Sequence, residues 1–183
     1  AQCRNNDDVI ESVNFARHYQ LLTAIKCGGH SVSGKGTCDD GLIIDLSPLQ
    51  GTSVNPNTQR ILITGGSLLS ALDEATVPLG LGTTAGTVSH TGVGGLTLGG
   101  GFGRLGRRFG LTIDNLKSVE IVTADGQLRY ADAEENADLF WGVRGGGGNF
   151  GIVTMFEFQL HPMNPQVVGG RIHYPFSQVK DLL

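Results

Sequence analysis

The chain has 183 residues, and 29 of them are glycine, about 16% against the roughly 7% of an average protein. The glycines cluster without a G-X-Y period and 39% of residues are apolar, which excludes a collagen and a low-complexity disordered chain. The formal net charge is −4 and the only basic knot is Arg104, Arg107 and Arg108, so the Lys/Arg stripe that binds a nucleic-acid backbone is missing and no nucleic-acid partner is expected.

Asn6 and Asp7 are cap candidates for a first helix, in which Val9, Val13 and Ala16 share one face, running to about Tyr19. Leu22 to Lys26 reads as a strand that enters Gly28-Gly29-His30-Ser31, and Leu42 to Leu46 reads as the next strand, leaving Cys27 to Gly41 as a loop. Arg60 to Thr64 is a third strand, followed by a helix that Ser67 caps and that Pro78 and Gly80 stop, with Leu68, Leu69, Leu72 and Ala75 facing a core. Gly82 to Gly110 shows neither period and is expected as one long loop, a length usually associated with function in a compact domain. Leu116 to Thr123 and Leu128 to Ala131 flank Asp125-Gly126 as a hairpin. Asn136 to Val143 reads as a short helix, and Ile152 to Leu160 alternates as a half-buried strand. Pro162 and Pro165 punctuate its end, and Val167 to Tyr174 begins a new element. Strands outnumber helices in mixed order, so the fold class is α+β.

Three cysteines, Cys3, Cys27 and Cys38, form no C-x-x-C pair and read as ordinary thiols, with neither a disulfide framework nor a metal site. No apolar run reaches the length of a membrane span and no basic-then-apolar leader is present, so the chain is read as soluble with no membrane partner, the cytoplasm being favoured. Residue 1 is alanine, and Val179 to Leu183 looks like a helix cut in mid-course, so the chain is read as a piece of a longer protein.

Gly29 to Gly36 nearly matches a P-loop, but Gly36 stands where a Ser or Thr must hold magnesium, and a strand follows where a helix is needed. Gly101 to Gly106 and Gly146 to Gly151 both satisfy G-x-G-x-x-G. The first lacks a buried strand before it, and the second opens a strand with no helix to face a pyrophosphate, so a Rossmann unit is rejected. Glycine nevertheless lets backbone approach a ligand closely, and successive free amides form an anion nest. Two readings of the loops at 28–31, 86–103 and 145–151 stand at this point: cradles for an extended anionic ligand, or tight packing and turns.

Four separated stretches carry a resemblance. They are Lys26-Cys27-Gly28-Gly29-His30-Ser31, Ser89-His90-Thr91-Gly92 through Gly103, Gly110-Leu111-Thr112-Ile113-Asp114-Asn115-Leu116, and Asp138-Leu139-Phe140-Trp141 through Gly151-Ile152-Val153. Over residues 3–165 the chain resembles the FAD-binding PCMH-type domain of the berberine-bridge-enzyme-like flavin oxidases in the vanillyl-alcohol-oxidase superfamily. That resemblance implies a domain of two α+β subdomains, incomplete at both ends, over residues 1–165, with 166–183 supplying the first strand of a substrate domain and the start of a helix. It implies an FAD-dependent oxidoreductase that passes hydride from a substrate C–H to flavin and is reoxidised by oxygen to hydrogen peroxide. Its partners would be a small-molecule substrate and dioxygen. A flavin dehydrogenase using another acceptor and a non-catalytic FAD-binding fragment are the alternatives.

The resemblance also assigns residues. Gly28, Gly29, His30 and Ser31 would hold the pyrophosphate, with His30 bonded covalently to the flavin 8α carbon, where a neutral imidazole offers a nucleophilic ring nitrogen. Val88, Ser89, Thr91, Gly92, Gly94, Gly95, Gly99, Gly101, Phe102 and Gly103 would line the cofactor, and Gly148, Asn149, Gly151, Ile152 and Val153 would give it backbone partners. Doubly linked relatives carry a cysteine where Val88 stands, and Cys27 and Cys38 lie in the wrong segment, so a single histidyl link is expected. Lys26 stands where arginine is common. Asp114 is assigned to its loop turn, His18, His161 and His173 to structural roles, and His90 to the loop without a role. Substrate-side acids and bases are expected outside this chain.

Overall fold

A computed structural model describes residues 1–182. Helix α1 (Asn6–His18) leads to strand β1 (Thr23–Lys26), which pairs in parallel with β2 (Leu42–Asp45). The cap of α1 is Asn5, one residue before the expected pair: its side chain accepts the Asp8 amide at 2.9 Å, while Asp8 takes the Arg4 amide in return. This exchange satisfies two amides at once, as a capping box does, which fixes the start at Asn5. Val9 from α1, Ile44 within β2, Leu46 just after it, and Cys3 form a small core, closed on one side by Val122 and Ile152.

Next come β3 (Thr52–Asn55), β4 (Arg60–Thr64), α2 (Leu69–Thr76) and the two-residue β5 (Leu81–Gly82). Strand β3 escaped the sequence reading because it is an edge: its only partner is β4, and only Val54 of its four residues is even half-buried. Ser67 does not cap α2. Its buried hydroxyl instead bonds Thr64 Oγ1 at 2.9 Å and accepts the Gly51 amide at 3.2 Å. The first amides of α2, on Leu69 and Ser70, donate to the carbonyls of Thr91 and Ser89, each at 2.9 Å. A remote loop thus supplies the acceptors that a helix start needs.

The expected long loop contains two short helices, α3 (Val93–Leu98) and α4 (Gly106–Phe109). Six residues with two glycines carry little helical propensity of their own. Helix α3 forms because Val93, Gly94 and Thr97 are buried and the Val93 amide is taken by Ser67 O. The chain continues through β6 (Leu116–Val122), β7 (Leu128–Asp132), α5 (Ala137–Val143), β8 (Ile152–Gln159) and the two-residue β9 (His161–Pro162), which pairs with β5.

The main sheet has the order β3-β4-β8-β6-β7 and every pair in it is antiparallel. Strand β8 is central, and its Phe156 and Phe158 are fully buried with Ile61, Ile63, Val119 and Ile121 under α2, α3 and α5. An antiparallel sheet has no βαβ crossover, which agrees with the rejected Rossmann fingerprints. The hairpin turn between β6 and β7 is locked by the Thr123 hydroxyl and the Arg129 guanidinium, which hold the Asp125 carboxyl down to about 2. Two α+β units therefore share one chain, as the resemblance implied.

The final stretch corrects one expectation. No strand forms over 166–174, where Val167, Val168 and Ile172 lie exposed and bury nothing that would hold a strand in place. The terminal helix α6 (Val179–Leu182) is present, and Leu183 lies outside the described residues. Among the described residues no helix is long and apolar enough to cross a membrane.

Candidate functional site

The three glycine loops come together where the two α+β units meet. The end of β1 delivers Cys27 to Ser31, the segment before and within α3 delivers Thr91 to Gly99, and the turn before β8 delivers Gly145 to Val153. Together with β1 they line a cavity of about 930 Å³, at the upper end of the roughly 300–1,000 Å³ of cofactor sites. An adjoining hollow of about 540 Å³ under α1 shares Thr23, Ile25, Gly148, Asn149, Gly151 and Ile152 with it.

The loops meet backbone to backbone. A Cβ on Gly28 would fall 2.8 Å from Gly92 Cα and closer still to the Gly92 amide nitrogen, while a Cβ on Gly92 would fall 2.5 Å from Gly28 N. Only glycine at both positions allows the first and second loops to touch. Gly151, with φ +146°, is a further obligate position, since a Cβ there would also strike Val122 O. The glycine excess thus serves packing and cavity walls together, and the two readings left open by the sequence coincide.

Charge completes the picture. Lys26 and Lys35 line the cavity, and no aspartate or glutamate does. Lys26 Nζ is 3.0 Å from Asp45 Oδ2, and Asp45 also accepts from the Ser47 amide at 3.0 Å and from the Ser47 hydroxyl. Ser47 Oγ in turn lies 3.2 Å from Cys27 O, which ties this network to the root of the first loop. Burial alone would raise the Asp45 carboxyl, but the Ser47 bonds and Lys26 outweigh it and leave it below its ordinary value. A lowered carboxylate value stabilises the fold above the unfolded value, and that contribution is lost as pH falls through the folded one. Asp45→Ala is therefore expected to cost roughly 1–2 kcal/mol in denaturant titration at pH 7, after allowing for the exposure of Lys26. The gap from the wild type should shrink below about pH 4.

His30 lines the cavity at its exposed rim, and its Nε2 lies 2.6 Å from His90 Nδ1 with the rings 4.6 Å apart. Sequence reasoning left His90 without a role, since the signal is a contact 60 positions apart. Of the residues assigned by resemblance, Gly28, Gly29, His30, Ser31, Thr91, Gly92, Gly94, Gly95, Gly99, Gly148, Asn149, Gly151, Ile152 and Val153 line the cavity. Val88, Ser89 and Phe102 are exposed outside its lining. Gly101 packs on Thr112, and Gly103 packs on the Ala85 carbonyl.

Cys27, Cys38, Lys35, Leu96, Leu98 and Gly145 to Gly147 also line the cavity without having been assigned to it. Burial pushes the Cys27 thiol up, so it is a poor nucleophile. Asp114 accepts the Leu111 amide at 2.7 Å and closes its turn. His161 stacks on Phe109 at 4.2 Å and bonds Asn115 Oδ1 at 2.7 Å, a structural task. Among the described residues no cluster of His, Cys, Asp or Glu is arranged to hold a metal ion.

The family model described as FAD binding domain matches residues 1–132. The chain belongs to this family. It is 40% identical over 180 residues to an FAD-linked oxidoreductase of Dictyostelium discoideum, covering 98% of this chain and 39% of that protein. The structure of 6-hydroxy-D-nicotine oxidase from Arthrobacter nicotinovorans superposes with a TM-score of 0.86 at 36% identity, covering 88% of this chain and 36% of that one. The wild-type BBE-like 1 protein of Physcomitrella patens gives 0.81 at 30% identity, covering 87% and 36%. The FAD-binding domain therefore has the PCMH-type fold, and the chain spans less than two fifths of the length of these relatives.

The cavity suits FAD on its own terms. Glycine walls let backbone amides reach a pyrophosphate, Lys35 and the absence of a lining carboxylate favour an anion, and the volume of the cavity with its adjoining hollow suits a dinucleotide.

Proposed function

We propose that the protein carrying this chain is an FAD-linked oxidase: it removes hydride from a C–H bond of a small molecule and passes the electrons to dioxygen, giving hydrogen peroxide. The observation that carries this reading is the carboxylate-free cavity walled by three glycine loops, with a histidine at its rim. FAD, when bound, supplies the hydride-accepting chemistry. Gly28, Gly29 and Ser31 hold the pyrophosphate, and Lys35 adds positive charge on the same wall. The stretch from Thr91 to Gly99 and the turn from Gly148 to Val153 face the rest of the cofactor. His30 bonds to the flavin 8α carbon as the single covalent link. Val88, Ser89, Gly101, Phe102 and Gly103 support the second loop from outside the cavity lining.

Residues 1–165 form the FAD-binding part and 166–183 begin a substrate domain. The exposed apolar side chains of Val167, Val168, Ile172 and Phe176 support that division, since such surface ordinarily packs against further protein. The acceptor is read as oxygen because the relative that superposes at 0.86 is itself named an oxidase. Oxygen uptake and peroxide formation by the full-length protein with a panel of alcohols, sugars and cyclic amines test this. Stoichiometric peroxide is expected with at least one of them, whereas turnover with an artificial dye and no oxygen uptake would assign a dehydrogenase instead.

A further inference from the structure

The hydrogen bond between His30 Nε2 and His90 Nδ1 has a chemical consequence for any bond that His30 makes. Only one proton lies between the two facing nitrogens, so one ring donates and the other accepts. If His90 donated, His30 would carry its own proton on Nδ1 and spend its Nε2 lone pair on the hydrogen bond, leaving no free nucleophilic nitrogen. If His30 donates from Nε2, its Nδ1 keeps a free lone pair, and among the described residues Nδ1 has no hydrogen-bond partner.

The placement of His90 is built into the fold. Its two neighbours, Ser89 and Thr91, give their carbonyls to the first amides of α2, so the backbone on either side of His90 is pinned to a helix start. The loop carrying His30 is held to the same segment by the Gly28–Gly92 backbone contact. Two independent backbone anchors therefore set the distance between the two imidazoles. His90 does not itself line the cavity, whereas His30 does.

We propose that His90 is the positioning residue for flavin attachment: it accepts the Nε2 proton of His30, fixes the tautomer with a free Nδ1, and so directs the covalent bond to Nδ1. This rests on the reading that His30 carries the flavin. In the step, His30 Nδ1 forms a bond to the 8α carbon as one C–H bond of the 8α-methyl group breaks. The methyl proton and the His30 Nε2 proton leave, the latter through His90 Nδ1, and the electron pair of the C–H bond remains on the flavin, which is reduced by two electrons. Dioxygen then takes the two electrons and two protons as hydrogen peroxide, and His90 returns to its neutral form. The linkage is thereby an oxidation in which every proton and electron has a destination.

The test uses the full-length protein prepared free of flavin and given FAD, with the acid-stable flavin followed in time. His90→Leu is expected to slow covalent incorporation about 100-fold, the lower end of what a positioned proton acceptor contributes, while still binding one FAD per chain non-covalently. His90→Asn, whose Oδ1 takes the place of Nδ1 and accepts the hydrogen bond but not the proton, is expected to lie about tenfold below the wild type. NMR of the flavin peptide from the wild type is expected to show attachment at Nδ1. Incorporation at the wild-type rate in either variant, or a bond through Nε2, overturns the proposal. If His90→Leu loses FAD binding, the His90→Asn rate decides. Failure of the underlying reading looks different, because the wild type itself would then carry no flavin on the His30 peptide.

Discussion

Replacing His30 by alanine is expected to release all of the flavin when the full-length protein is precipitated with acid, whereas in the wild type the yellow colour is expected to stay in the pellet. The expectation follows from position. His30 is an exposed residue at the cavity rim whose side chain bonds only His90, so its loss leaves the glycine walls and the hydrophobic cores intact. Surface substitutions of this kind change stability by about 0.5 kcal/mol or less. The variant should therefore fold, melt near the wild type, and bind FAD that dissociates on denaturation. Val88 has no reactive side chain, and burial raises the Cys27 thiol. Acid-stable flavin persisting in His30→Ala would show that the attachment lies elsewhere, and colour released by the wild type would show that there is none.

Gly28→Ala is expected to be the more damaging change, although it adds a single methyl group. That methyl would meet the Gly92 amide nitrogen and Cα and the Thr91 carbonyl carbon, all of them backbone. A flexible side chain could move aside, but here two loops must separate, and Gly92 is tied through Val93 to Ser67 and through Thr91 to the start of α2. Overpacking against well-set backbone costs about 1–3 kcal/mol. The same separation displaces two of the three cavity walls and pulls His30 away from His90. A fall in melting temperature, loss of stoichiometric FAD and loss of acid-stable flavin should appear together. A Gly28→Ala protein that melts and binds FAD as the wild type does would show that the loops are not in contact as described. Gly106→Ala provides the control, because a Cβ there meets nothing within 4 Å and the residue lies outside the cavity lining.

The sequence made the fold class and most of its elements legible, because they rest on local pattern. Val9, Val13 and Ala16 mark a helix face, Thr154, Phe156 and Phe158 mark a strand, and Asp125-Gly126 marks a turn, each readable within a few residues of itself. It also located the three glycine loops and the one histidine set among glycines, since these are features of composition and order. Strand β3, helix α3 and the cap of α2 were not legible in the same way. Each is stabilised by a partner distant in the chain: β3 by its pairing with β4, α3 by burial and the Ser67 carbonyl, and α2 by the carbonyls of Ser89 and Thr91. Local propensity carries no record of such partners.

The division within the glycines has the same cause. Gly99 and Gly101 look alike in sequence, yet one lines the cavity and the other packs against Thr112. Which of the two a glycine does depends on what lies opposite its missing side chain, and that is fixed only when the chain has closed on itself. The pairing of His30 with His90 belongs to the same class. Two imidazoles 60 positions apart become one hydrogen-bonded unit because Gly28 and Gly92 allow their loops to touch. The residues able to form a cofactor cavity were written in the linear order; the side chains that act together in it were decided by backbone contact between distant loops.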